Sequence, residues 1–336
     1  MDDRAGLSER PALMSFSGIH KDYRFWCLVL ALAAMLALFA HPRERQKRPV
    51  YNLAFIVDIT RSMNAQDYRL DDRPVSRLHF VKQTLRELLP KLPCQSKVGL
   101  GIFTERRSTL LFEPIEVCSG FAELDAAIAE LDWLMAWAAD SRIAGGLLSA
   151  LEILQNGDSN VVFVTDGQEA PPVNPRYRSD FSAIKGKLDG MILGVGGLQP
   201  VPIPKFNAKG EADGFYSAED VPHRSSFGES NLNPEKIEGY DARNAPFGRE
   251  AATGSEHLAS LREPYLQQLA SEAGLRYHRL TDTDALNEAL QTPELAVQKP
   301  VDADVRWKAA VLALALLLPI YGGLLKRYLN RAINRV

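Results

Sequence analysis

Leu53 to Val57 is an unbroken apolar run that stops abruptly at an acid, Asp58, and the pattern returns at Asn160 to Thr165, which stops at Asp166. A third run, Met191 to Val195, ends in Gly196 and Gly197. Short runs of this kind, without polar alternation, read as strands buried on both faces of a parallel sheet. Between and after them lie helical patterns: Ser76 to Leu89, with apolar residues at 78, 81, 85, 88 and 89 and Ser76 placed as a cap, then Phe121 to Trp137, Ala144 to Leu154, Pro264 to Ala273 and Asp282 to Leu290. Leu275 to Leu280 reads as a last strand. Strands alternating with helices give an α/β fold class, a doubly wound, mainly parallel sheet with one antiparallel edge strand.

That edge strand comes from a hairpin, Lys97 to Phe103 and Thr109 to Val117 around the polar turn Thr104 to Ser108. If the turn centres on Arg106, residues equidistant from it face each other, and Cys94 meets Cys118 at a separation a disulfide can bridge. The alternative is two unrelated buried thiols. A disulfide implies an oxidising compartment. From about 198 to 260 the α/β pattern fails; a hairpin turning at Ala208 to Gly210 leads into a stretch rich in Gly, Ser, Asn and Pro, read as an insertion or long loop.

Two further apolar runs bracket this domain. Phe25 to Ala40 holds sixteen residues without a charge, about 24 Å as a helix, and Ala309 to Leu325 lies close to the C-terminus. The first reads as a membrane anchor, with a cleaved signal's apolar core and a buried helix as alternatives; the second reads as a second span, edged by Trp307 and Tyr321. The resulting organisation is an N-terminal tail (1–24), a span (25–41), a basic linker (42–50), the α/β domain (51–292), a linker (293–306), a second span (307–325) and a basic tail (326–336). Lys326, Arg327, Arg331 and Arg335 favour a cytoplasmic tail, and two spans then place the domain on the far side of the membrane, outside the cytoplasm. A net charge of −3 exerts no general attraction for nucleic acid.

Ligands of open α/β sheets bind beyond the carboxyl ends of the strands. There Asp58, Thr60 and Ser62 offer three oxygens at alternate positions of one loop, a donor set suited to Mg²⁺ or Mn²⁺. The same phrase also serves as a helix-capping loop without metal, so on its own it decides nothing. Asp67, Asp71 and Asp72, further along, read as solvated loop acids. No G-x-S-x-G phrase is present, and the six histidines lack zinc-ligand spacing.

Taken together, DITRS, the phrase SRIAGGL at 141–147 and VFVTDG at 162–167 resemble the von Willebrand factor type A domain, whose metal-ion-dependent adhesion site joins a D-x-S-x-S loop, a Thr from a second loop and an Asp from a third. The resemblance implies a Rossmann-like fold and a metal site of Asp58, Thr60, Ser62, Ser141 and Asp166, holding Mg²⁺ (or Mn²⁺ or Ca²⁺). Thr60 and Ser141 depart from the family pattern but keep a hydroxyl oxygen. DITRSMNAQDY, the PVPIPKFNAKGEADGFY hairpin and LQQLASEAGLRYHRL are similar to bacterial aerotolerance-type membrane proteins, and the cysteines around KVGLGIFTE to accessory proteins of periplasmic methanol dehydrogenase. These relatives imply a partner protein that supplies a carboxylate to the metal, other membrane proteins of the same domain type, and a MoxR-type AAA+ ATPase, in maturation or metal loading of a client. The competing reading is an aspartyl-phosphate phosphohydrolase with Asp58 as nucleophile, which wants a second acid at the position of Thr60 and an accompanying Lys; neither is evident.

Overall fold

The structure, a computed structural model, describes residues 22–40, 43–135, 141–172, 178–207, 210–221, 238 and 255–333. Contacts divide the chain into two compact units, residues 47–299 and a terminal unit of residues 1–46 with 300–336.

The larger unit is built on a seven-stranded sheet. Its strands are β1 (Arg43–Asp58), β4 (Lys97–Thr104), β5 (Arg107–Glu116), β6 (Asn160–Thr165), β7 (Gly190–Gly194), β12 (Arg276–Arg279) and β13 (Ala296–Asp304). The order is β12-β7-β6-β1-β4-β5, with β13 also paired to β1. All neighbours from β12 to β4 are parallel, and β5 returns antiparallel at the edge. Short ribbons pair β2 (Tyr68–Leu70) with β3 (Arg73–Val75), β8 (Val201–Pro202) with β11 (Leu258–Ala259), and β9 (Pro204–Phe206) with β10 (Ala212–Phe215).

The unbroken apolar run of β1 is explained by its two covered faces. Leu53, Phe55 and Val57 point into a core with α2 (Arg77–Leu88), α3 (Phe121–Ala129) and α6 (Thr283–Leu290). Ala54 and Ile56 point into a second core with α4 (Ile143–Leu154) and α5 (Glu263–Ala273). Successive residues of a strand face opposite ways, so both sets must be apolar. Capping fixes the helix starts: the Ser76 hydroxyl accepts from His79 N at 3.1 Å, and Asp282 accepts from Ala285 N at 2.8 Å. α3 ends at Ala129, short of the expected Trp137, and a 3₁₀ turn at Trp133–Met135 follows.

The edge hairpin forms with an altered register. Its tight turn is Glu105 and Arg106, Phe103 faces Ser108 and Lys97 faces Glu116, while only Leu100 opposite Phe112 keeps the symmetric pairing. Two irregularities, between Val98 and Leu100 and between Leu100 and Gly101, shift the pairing along the strand. Cys94 and Cys118 lie in the turns beyond the strand ends and are joined, Cα to Cα 5.3 Å. The bond closes a sequence separation of 24 residues. Replacing both cysteines by Ser should therefore cost about 3 kcal/mol in urea unfolding; a loss below about 1 kcal/mol would show that the bulged hairpin alone fixes the edge.

Two stretches read as linkers are extended and paired instead. Arg43 to Val50 belongs to β1, and Ala296 to Asp304 is β13. The charged side chains of Arg43 to Arg48 remain mostly exposed, so no hydrophobic period marks that stretch as strand, and β13 buries only Ala296, Val301 and Ala303.

In the terminal unit both apolar runs are helical, α1 (Tyr23–Ala40) and α7 (Arg306–Ile333), and they pack against each other. Glu44 accepts from Lys308 Nζ at 2.8 Å. Among the described residues no helix is long and apolar enough to cross a membrane. The 18 residues of α1 cover about 27 Å against a hydrocarbon core of ~30 Å, and α7 contains Pro319.

Candidate metal centre

Parallel pairing sets Val57 of β1 opposite Val164 of β6, which brings the next residues, Asp58 and Thr165, together at the carboxyl edge. Asp58 is fully buried. Its Oδ1 accepts from Thr60 Oγ1 at 2.7 Å and from Thr60 N at 2.9 Å, and its Oδ2 accepts from Thr165 Oγ1 at 2.6 Å. Burial, and then the neighbouring Asp166 carboxylate, push the Asp58 carboxyl up to about 7 against the pull of these hydrogen bonds.

After Asp58 the chain enters a 3₁₀ turn, Arg61–Asn64, which places Thr60 Oγ1 and Ser62 Oγ 3.5 Å apart. Ser141 reaches the same place from the far side of β4 and β5. Its N–H donates to Ala170 O at 2.7 Å, its carbonyl accepts from Ala170 N at 2.9 Å, and Arg142 N donates to Glu105 O at 2.6 Å, so the backbone is tied on two sides. Gly146 lets α4 approach closely behind it, since a Cβ there would meet the Phe103 ring at 2.2 Å.

Thr60, Ser62 and Ser141 line one pocket of ≈ 30 Å³, room for about two waters or an ion. The Ser141 hydroxyl is buried and has no hydrogen-bond partner among the described residues. A buried polar atom left unpaired is costly, and one on a residue that lines a small void fits a bound species there. Three convergent hydroxyls with water fit a hard divalent cation that keeps part of its hydration shell. Asp58 and Asp166 do not line the pocket; Asp58 orients the Thr60 hydroxyl from behind, while Asp166 is engaged by other groups of the same sheet edge. Of the five residues expected at a metal site, Thr60, Ser62 and Ser141 line this void and the two acids do not, the arrangement in which hydroxyls face the ion and carboxylates stand back.

Sequence reasoning misses four others. Asp166 Oδ1 accepts from Gln168 N at 2.9 Å, and Oδ2 accepts from Arg77 Nη1 at 2.6 Å. The Arg77 guanidinium, fully buried, turns its other edge to Asp67, with Nη2 to Oδ2 at 2.6 Å and Nε at 3.0 Å from both oxygens. Burial works to lower the Arg77 pKa, but Asp166 and Asp67 outweigh it and hold the group above its ordinary value. Asp67 is therefore no solvated loop acid, whereas Asp71 and Asp72 are exposed in a turn with positive φ. A signal for Arg77 exists in the sequence: four and eight residues ahead of Val81 and Leu85, it falls on the buried stripe of α2. Thr165, bonded to Asp58, also accepts from Gly167 N at 3.1 Å.

The insertion supplies the remaining wall. Its hairpin turns where expected, with Ala212 opposite Phe206 and Phe215 opposite Pro204, although 208–209 and most of 222–254 lie outside the described residues. Ile203, Tyr216, Val221 and Glu256 line the pocket opposite the hydroxyls. Gln168 Nε2 donates to Leu258 O at 2.8 Å, and the Arg61 guanidinium lies 5.1 Å from the centre of the Tyr216 ring.

Residues 53–168 match the family profile of the von Willebrand factor type A domain. Among solved structures, the chain is similar to an aerotolerance-related membrane protein from Bacteroides fragilis (18% identity, 70% of this chain and 94% of that one, TM-score 0.44). It is also similar to the conserved hypothetical protein BatB from Bacteroides thetaiotaomicron (16%, 71% and 94%, TM-score 0.44) and to manganese-loaded TRAP protein from Plasmodium vivax (11%, 78% and 81%, TM-score 0.38). No curated protein matches it. The stretch that matches the von Willebrand factor type A profile, residues 53–168, carries all five of the expected site residues.

Proposed function

We propose that the domain binds a partner protein through a divalent metal, Mg²⁺ or Mn²⁺, held at Thr60, Ser62 and Ser141 with Asp58 and Asp166 behind them. The observation that carries this reading is the unpartnered, buried Ser141 hydroxyl facing the same ≈ 30 Å³ void as Thr60 and Ser62. Bound there, the ion supplies a Lewis-acidic position that a partner's carboxylate can complete. Asp58 fixes the rotamer of Thr60 by accepting its proton, which leaves the hydroxyl lone pairs turned outward. A wider cleft of ≈ 290 Å³, lined by Gly167, Glu169, Arg262 and Tyr265 and sharing Gln168 and Glu256, adjoins the pocket and gives a partner side chain an approach.

The same proposal places the domain at a membrane. α1 and α7 leave Trp26, Leu32, Phe39, Leu314 and Leu318 exposed, an apolar surface that water does not favour. The Cys94–Cys118 bond suits an oxidising compartment, the periplasm of a bacterial inner-membrane protein. In that setting the task is assembly, maturation or metal loading of a periplasmic enzyme, together with a MoxR-type ATPase and other membrane proteins of this domain type. The phosphohydrolase reading finds less support, because Asp58 is fully buried and both of its oxygens are occupied.

Crosslinking and pull-down from native membranes test the reading. Partners should be captured in Mg²⁺, lost in chelator, and lost with Asp58→Ala while the domain stays folded. Capture that ignores both, or phosphate release from phosphoesters that vanishes in the same variant, would end it.

A further inference from the structure

Arg77 has no counterpart in the metal-site phrase that the sequence carries, yet it is the largest side chain buried to completion. Its two edges hold two acids from different loops. Nη1 donates at 2.6 Å to Asp166, which in turn holds the N–H of the pocket residue Gln168, and Nη2 donates to Asp67 at 2.6 Å. The pair is itself cradled. Asp67 Oδ2 accepts from Gly197 N at 2.8 Å, and Gly196 N donates to the Tyr68 hydroxyl at 3.0 Å. Gly196, at φ +120°, passes so close that a Cβ there would lie 2.8 Å from the guanidinium carbon. Such a site is built around the guanidinium and is not a chance ion pair.

We propose that Arg77 and Asp67 set the charge of the metal centre, Arg77 cancelling one of the negative charges that Asp58, Asp67 and Asp166 bring to it while it holds Asp166 in place. The proposal rests on the metal-binding reading above. Arg77 touches neither the pocket nor a ligand of it, so it is a positioning residue that acts through Asp166. In a buried site a fixed charge acts over several ångströms at an effective dielectric near ~20, far more strongly than in water. The charge balance behind the hydroxyls then decides how tightly a divalent ion is held, and with what readiness it accepts an anionic partner.

A charge-compensation experiment separates this role from that of a structural strut. Mn²⁺ binding, followed by electron paramagnetic resonance at pH 8 on the full chain, is compared for the native protein, Asp67→Asn, and Asp67→Asn combined with Arg77→Gln. Asp67→Asn keeps the shape and removes one negative charge, so the Mn²⁺ Kd should rise about tenfold. The double variant removes one charge of each sign and should return the Kd to within about threefold of the native value. A strut makes the opposite forecast, the double variant binding worst because every contact is gone. An unchanged Kd in Asp67→Asn, or a folded double variant weaker than the single one, overturns the proposal while leaving the metal site intact. Absence of Mn²⁺ binding by the native protein overturns the metal-site reading and this inference with it. Should the double variant not fold, the single one decides alone.

Discussion

Metal-free protein is expected to lose stability as pH is raised from about 4 to about 7, with Asp58 as the cause. In the folded chain this carboxyl keeps its proton up to about pH 7, whereas an unfolded chain gives it up near the ordinary value of 3.8. Between those limits the folded state binds more protons than the unfolded one, so stability falls as pH rises. The contribution is fully present below the lower limit and gone above the upper one. Its size is on the order of 4 kcal/mol, from the shift in pKa at 1.36 kcal/mol per unit. Asp58→Asn keeps the shape and cannot ionise, so subtracting its urea-unfolding profile in EDTA from the native profile, between pH 4.5 and 7.5, isolates the effect. Parallel profiles would rule it out. Mn²⁺ should remove most of the slope, because binding favours the ionised carboxylate that the empty site penalises.

The second large effect concerns the cation beside it. Arg77→Leu leaves Asp67 and Asp166 in place, both buried, without their shared counter-charge. Deleting one partner of a buried ion pair typically costs 3–5 kcal/mol, so a loss of about that size is expected in urea unfolding at pH 7. The cause is desolvated negative charge, not lost packing, and Arg77→Leu should therefore recover part of its stability when Asp67→Asn is added. A loss below about 1 kcal/mol for Arg77→Leu would mean that water reaches both acids.

Much of this architecture was legible because the parallel strands are covered on both faces. Leu53 to Val57 and Val161 to Val164 can be apolar throughout only if helices lie on either side, and Asp58 and Asp166 stand just past the ends of those runs. Register in the hairpin was not legible, because the irregularities at Val98, Leu100 and Gly101 depend on packing that no turn sequence records. Nor was the outer half of β1: Arg43 to Arg48 is mostly exposed, and a strand without a buried face has no hydrophobic period to betray it. At the site the phrases gave the oxygens, with the acids set behind the hydroxyls, but not what holds the acids. Asp58 is held by Thr165 and Asp166 by Arg77, partners brought together from residues far apart in the chain. Arg77 falls on the buried stripe of α2, but no local pattern shows that a loop brings Asp67 to it.

The two sides of the pocket have different origins. The hydroxyl-bearing residues of the sheet edge share the pocket with Ile203, Tyr216, Val221 and Glu256, all carried on the segment inserted between β7 and α5. Among the described residues, bonds such as that from Gln168 Nε2 to Leu258 O tie this segment to the loops that hold the hydroxyls. A change in the inserted segment therefore reshapes one wall of the pocket and leaves the hydroxyl-bearing wall to the sheet edge.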